Sequence, residues 1–301
     1  MSYTLNLNNS QADLVIEKYK DFSVSPTNDY TLFRAKYKGT TITLYKTLTL
    51  LLQGSKSDKV YTEICNLLDL EVDLDIKSEK SVESSVNLSI IGTDEVGTGD
   101  FFGPIIVAGA FVDKSQIVDV MKLGVRDSKN LNDSKIRQIA KELKKIIKYQ
   151  IVALDNMKYN YLVSVANFNM NKIKALLHND VLFKLTNKVP NYDKIIIDAF
   201  TTREKYLEYI SDQKIIVSDV ELEEKGESKH LAIACASILA RAAFLRKMDL
   251  LSDEIGFDLP KGAGSKVDLA IAKLIRDHSE TILTKYGKTN FKNVEKAKNN
   301  L

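Results

Sequence analysis

The amino-acid sequence predicts an α/β domain, built around a central mixed sheet, preceded by a small α+β domain. At 301 residues the chain is long enough for one large domain and a smaller companion. Its local charge changes sign, from eight Lys/Arg against five Asp/Glu over residues 1–60 to two against seven over residues 61–85, as at a solvated boundary. The run KIIID at 194–198 is short and wholly apolar between its charged ends, the pattern of a central parallel strand covered on both faces.

The first domain is predicted over residues 1–70. A strand over 3–7 leads into a helix capped by the Ser10 hydroxyl. Residues 33–37 and 41–45 are β-branched and aromatic runs about Lys38-Gly39, a hairpin signal, and 47–53 extends the pattern to Gly54. A second helix is expected over 57–68, giving a small unit with a curved antiparallel sheet. The stretch EVDLDIKSEKSVESS, within residues 71–86, has the charge and serine content of a linker.

The second domain is predicted over residues 87–301. It opens with a strand pair, VNLSIIGTDEVG and PIIVAGAFVD, about the turn at Gly103-Pro104. A helix over 133–148, a strand over 150–154 and a helical tract over 169–188 precede KIIID. The last third is mainly helical, most clearly over 228–251 and 265–278. No run is long and apolar enough to cross a bilayer. The N-terminus lacks the basic and apolar segments of a secretory signal, so a cytoplasmic location is expected. Cys65 and Cys235 each lie among apolar residues and are expected to be buried thiols, not a disulfide or zinc ligands.

Asp94 and Glu95 directly follow the apolar run SIIG, and Asp198 ends KIIID. If the two strands lie side by side, their acids converge. Such a cluster repels itself unless divalent cations neutralise it, and oxygen ligands without His or Cys select Mg²⁺ or Mn²⁺ over zinc. Two such ions about 3.5–4 Å apart suit phosphoryl displacement. A single strand-end Asp more often starts a turn or caps a helix; three placed this way beside a glycine-rich turn favour the metal site.

That turn contains Gly97, Thr98 and Gly99. Glycines leave the backbone bare, so it can approach a sugar-phosphate closely and read a 2′-hydroxyl, although GTG alone is equally a tight loop. It is not a dinucleotide fingerprint, because Phe102 stands where the third glycine or alanine belongs, and Gly287-Lys288-Thr289 is not a phosphate loop, because Ile282 stands where its first glycine belongs. Residues 257–301 carry nine Lys/Arg against five Asp/Glu, including Lys285, Lys288, Lys292, Lys296 and Lys298, a tail expected to meet phosphate. The isolated His178, His230 and His278 are assigned no role.

Together, GTDEVGTGDFFGPIIVAGAFV, RDSKNL, IIIDAF and GESKHLAIACASILARAAF resemble the successive motifs of the prokaryotic ribonuclease HII/HIII group, over the whole second domain. The extra N-terminal domain, GTG where ribonucleases HII typically carry GRG, and NMNKIKALLHN at 169–179 are similar to the HIII branch. The resemblance implies an RNase H-like catalytic domain and an N-terminal substrate-binding domain resembling the TATA-binding-protein fold.

The same resemblance implies a four-carboxylate site of Asp94, Glu95, Asp198 and Glu227, which bind the metal and carry the catalysis, with Glu227 standing where ribonucleases HII commonly have aspartate. Its acidic neighbours Glu221, Glu223 and Glu224 could be mistaken for it, but Glu227 immediately precedes the apolar helix. Gly97, Thr98 and Gly99 match the loop that grips the RNA backbone, Ser128 and Lys129 a substrate-facing turn, and Lys229 is a lesser candidate. The implied activity is hydrolysis of the RNA strand of an RNA/DNA hybrid by a monomer with no obligate protein partner, leaving 5′-phosphate and 3′-hydroxyl ends. Its alternatives are incision at single ribonucleotides in duplex DNA, or hybrid binding without catalysis.

Overall fold

The computed structural model describes residues 2–26, 31–70, 88–125, 131–189, 191–299 and 301. Two compact units divide the chain, Met1–Val86 and Asn87–Leu301. The expected linker at 71–86, along with Ser128 and Lys129, lies outside the described residues.

In the first unit β1 (Ser2–Asn6), α1 (Asn9–Tyr19), β2 (Thr31–Tyr37), β3 (Thr40–Tyr45), β4 (Thr49–Gly54) and α2 (Ser57–Leu67) follow one another. The strands form an antiparallel sheet in the order β1-β4-β3-β2. The expected hairpin is present: Lys38 and Gly39 both take positive φ, 47° and 74°, the geometry that matches the twist of paired strands. Alternate strand residues Phe33, Ala35, Ile42, Leu44, Leu50 and Leu52 face Ala12, Val15 and Tyr19 of α1 and Val60, Ile64 and Cys65 of α2, so both helices cover one face. The cap of α1 is Asn8, not Ser10. Its side chain accepts from Gln11 N and the Gln11 side chain accepts in return from Asn8 N, a reciprocal pair that Ser10, already one residue inside the helix, cannot make.

On the opposite face, strand register aligns Arg34 with Thr43 and Leu51, and Lys36 with Thr41 and Gln53. Thr43, Tyr45 and Leu51 are buried. Lys36 is exposed, and Arg34, Thr41 and Gln53 are half-buried.

The second unit begins with β5 (Ile90–Val96) and β6 (Ile105–Val112), then α3 (Ile117–Lys122), α4 (Asp133–Ile146), β7 (Lys148–Leu154), α5 (Asn156–Ser164) and α6 (Met170–Thr186). β8 (Lys194–Asp198), α7 (Arg203–Ile210), β9 (Glu221–Glu223), α8 (Gly226–Lys229), α9 (Leu231–Ile255), α10 (Ser265–Asp277), α11 (Leu283–Tyr286) and α12 (Asn293–Lys298) complete it. The sheet order is β7-β6-β5-β8-β9. Pairs β5–β6 and β6–β7 are antiparallel, whereas β5–β8 and β8–β9 are parallel, so the sheet is mixed, with KIIID in its parallel part.

Period-two alternation splits this sheet between two cores. Ile90, Ile106, Ala108, Ala110 and Ile196 pack with α4, α9 and α10 on one face, and Ile91, Phe111, Ile195 and Ile197 with α6 and α7 on the other. Where α9 crosses β5, a Cβ on Gly92 would lie 2.4 Å from Ile233 N, so only glycine admits the helix this close. The helix expected at 228–251 is broken: α8 ends at Lys229, His230 is extended (φ −119°, ψ 121°), and α9 starts afresh at Leu231. Cys65 and Cys235 are free and buried. Among the described residues, no helix is long and apolar enough to cross a membrane.

Candidate active site

Parallel pairing of β5 with β8 sets Thr93 opposite Ile197, so the next residues, Asp94 and Asp198, arrive together on neighbouring strands. Asp94 is buried, at 8% exposure. Burial, reinforced by the negative charges of Glu95 and Asp198, pushes its carboxyl up to about 7 against hydrogen bonds from the Ser237 hydroxyl and Glu95 N. Ser237 is delivered by α9 as it passes over Gly92.

Glu95 points to a different set of partners. Its Oε1 lies 2.6 Å from Lys174 Nζ and its Oε2 3.0 Å from His178 Nε2. Burial opposes its ionisation, but the His178 hydrogen bond and the charges of His178 and Lys174 outweigh that and hold the carboxyl below its ordinary value. An ionised carboxylate only accepts, so His178 Nε2 donates to Glu95, while its Nδ1 meets Thr93 Oγ1 at 2.8 Å. Phe200 stacks on His178, with ring centroids 5.2 Å apart, and lies 4.4 Å beneath the Lys174 ammonium. Lys174 and His178 are four residues apart on α6 and therefore share a face.

Asp198 accepts from Gly226 N at 2.7 Å. Burial raises its carboxyl, the Gly226 bond opposes this, and the charges of Glu95 and Glu227 add to the rise. Glu227, half-buried in α8, is thus electrostatically coupled to Asp198. Lys225 just before it takes φ 54°, an uncommon conformation for a residue with a side chain.

Asp94, Glu95, Asp198 and Glu227, carried by β5, β8 and α8, offer oxygen donors only, the donor type that suits a hard divalent cation. The upward shifts at Asp94 and Asp198 are those a nearby cation would relieve. Among the described residues, no three His, Cys, Asp or Glu side chains stand as a ready metal-ligating group, and both oxygens of Glu95 are engaged by Lys174 and His178. The donor chemistry fits, with Glu95 having to share or release an oxygen.

The adjoining turn separates its glycines by role. Gly97 is at φ 92°, and a Cβ there would lie 2.2 Å from Pro104 O, so the fold itself requires glycine. Gly99 is exposed with nothing within 4 Å of a Cβ; nothing within the protein requires glycine there, which leaves its backbone open to a ligand. Thr98 between them is half-buried. Lys229 lies 3.5 Å from Glu223, whose carboxylate also meets His230 at 3.1 Å, and His278 is exposed. The basic tail is corrected at one position: Lys288 is fully buried, because its amine serves backbone carbonyls and not phosphate.

Reasoning from sequence missed Lys174, His178 and Ser237. The signal for the first two was their spacing of four within a helical tract.

A family profile described as Ribonuclease HII matches residues 91–294, and one described as a domain of unknown function (DUF3378) matches residues 3–63. Ribonuclease HIII of Bacillus pumilus (strain SAFR-032) is 43% identical over 279 residues, 89% of each chain. That of Bacillus anthracis (strain A0248) is 40% identical over 308 residues, covering 98% of this chain and 97% of the relative. The structure is similar to that of Bst-RNase HIII in complex with Mn²⁺, with TM-score 0.75 and 36% identity across 99% of this chain and 98% of that one. The ribonuclease H2 from Pyrococcus horikoshii OT3, 20% identical with TM-score 0.60, covers 70% of this chain and shares its fold. The second unit has the RNase H-like α/β fold with a central mixed sheet. With acids on adjoining parallel strands and similarity that runs through both units, the chain belongs to the ribonuclease HIII family.

Proposed function

We propose that the chain is an endoribonuclease that hydrolyses the RNA strand of RNA/DNA hybrids, using two Mg²⁺ or Mn²⁺ ions held by Asp94, Glu95, Asp198 and Glu227. The observation that carries this is the crowding of carboxylates where β5 and β8 run side by side, with the Asp94 carboxyl displaced to about 7. Bound divalent ions supply water activation and neutralise the phosphoryl oxygens of an in-line displacement. Water oxygen bonds to phosphorus as the bond to the ribose 3′-oxygen breaks, giving 5′-phosphate and 3′-hydroxyl ends.

The chain's own groups orient this reaction. Ser237 and the Glu95 amide aim the Asp94 carboxylate, Lys174 and His178 restrain Glu95, and Gly226 N fixes Asp198. The bare backbone at 97–99 reads the ribose 2′-hydroxyl of the strand to be cut. Ser128 and Lys129, which lie outside the described residues, are assigned to substrate binding on the resemblance of RDSK alone, with Lys129 offering a point charge to phosphate. The first unit, which we read as resembling the TATA-binding-protein fold, holds the hybrid through Arg34, Lys36, Thr41 and Gln53 on the sheet face opposite its helices.

Cleavage mapping on a continuous hybrid and on duplex DNA containing one ribonucleotide, each with Mg²⁺ and Mn²⁺, tests this function. Multiple cuts within continuous RNA are expected. Cutting confined to the single-ribonucleotide duplex would establish the HII-type activity instead, and binding of the hybrid without turnover in either metal would leave only a binding protein.

A further inference from the structure

Lys288, between α11 and α12, has 0% of its surface exposed. A lysine this deep needs polar partners, and it finds them in one place. Its Nζ donates to Asp100 O at 2.8 Å and Gly103 O at 2.6 Å, and its backbone N to Phe101 O at 2.9 Å. Gly103 N donates in return to Tyr286 O at 3.2 Å, and Phe102 bridges Gly287. The amine thus straddles the second half of the turn whose first half is 97–99. Burial lowers its basicity to about 8, with Asp100 opposing the shift.

The Lys288 segment is itself anchored. Asn160 Nδ2 donates to Gly287 O at 2.9 Å and Thr284 O at 3.1 Å, while its Oδ1 accepts from Thr289 N at 3.0 Å. A Cβ on Gly287 would meet the Phe101 ring at 2.2 Å, so turn and segment are in close contact. Methionine would fill much of the same space. What lysine adds is donors to two carbonyls of one turn.

We infer that Lys288 is a positioning residue for substrate binding, its buried amine tying the carbonyls of Asp100 and Gly103 so that the backbone at 97–99 meets the ribose in a fixed geometry. This rests on the proposed role of residues 97–99.

The test compares wild type, Lys288→Met and Asn160→Ala on a continuous hybrid and on one with 2′-fluoro ribose at the cleaved positions, well below each protein's Tm. For Lys288→Met the KM for the continuous hybrid is expected to rise about tenfold with a smaller change in kcat. Mn²⁺ affinity without substrate, read by titration calorimetry, should stay at the wild-type value. The KM difference should shrink on the 2′-fluoro hybrid, which cannot donate the ribose hydrogen bond. Wild-type KM in the folded variant would overturn the inference, as would a loss of Mn²⁺ affinity equal to the loss in kcat/KM. Should Lys288→Met not fold, Asn160→Ala decides: the same KM signature supports the inference and a wild-type KM overturns it. Wild-type protein that leaves the hybrid intact would refute the functional reading itself.

Discussion

Glu95 and His178 are joined at 3.0 Å between Oε2 and Nε2, and the same imidazole reaches back to Thr93, two residues earlier on the strand that carries Glu95. The ring therefore fixes the carboxylate relative to its own strand. Replacing His178 with alanine removes the partner of Glu95 Oε2 and of Thr93 Oγ1, leaves Glu95 held by Lys174 alone, and opens space beneath Phe200. Losing an orienting partner of a metal ligand typically costs 10–100-fold in metal affinity or activity, and a fall of about that size in kcat/KM is expected for His178→Ala, together with weaker Mn²⁺ binding by calorimetry. Unchanged values of both would mean that His178 does not orient Glu95 for the reaction.

The placement of the acids and of the glycine turn in the fold was legible because each stands beside a strong local signal. Asp94, Glu95 and Asp198 end apolar runs, and strand pairing alone brings them together. Lys174 and His178 were not, because their partner is some 80 residues away in sequence and their helix is buried on most sides. Lys288 was misread because a count of charges places every lysine on the surface, whereas backbone carbonyls can hold one inside. Helix α5 went unseen because Met157 and Tyr161 on it are exposed while Asn156 and Asn160 are buried, which inverts the pattern that periodicity detects. The break at His230 carries neither glycine nor proline to mark it.

Gly97 and Gly99 should separate stability from substrate binding. Gly97→Ala combines positive φ with a backbone clash, and strain of this kind costs about 1–3 kcal/mol before the clash is counted; thermal unfolding should show a lower Tm. Gly99→Ala has open space and should unfold as wild type while raising KM for the hybrid. Wild-type KM for Gly99→Ala would remove residues 97–99 from the substrate contact.

The metal-free protein should lose stability as pH rises from about 4 to 7 at this site. Asp94 keeps its proton in the folded state up to about 7 and releases it near 3.8 when unfolded, so the native state binds the extra proton across that interval and its advantage fades as pH climbs. The full effect is at most about 4 kcal/mol. In EDTA, Asp94→Asn is expected to melt several degrees above wild type at pH 8 and to converge with it near pH 4. Equal Tm values at pH 8 would mean that Asp94 ionises without penalty.

Arg34 and Lys36 lie on one face of the first unit's sheet. If each meets a phosphate, replacing both with alanine should weaken hybrid binding and reduce the slope of log K against log salt by about 0.9 for each phosphate that is no longer neutralised. An unchanged slope would take this face out of the hybrid interface.

We propose that Asp94, Glu95, Asp198 and Glu227 together form a metal-dependent site for cutting the RNA of a hybrid. The decisive experiment measures cleavage and binding in parallel for Asp94→Asn on one labelled RNA/DNA hybrid in Mn²⁺. Cleavage should be abolished while hybrid affinity stays within a few-fold of wild type; undiminished cleavage would contradict the assignment.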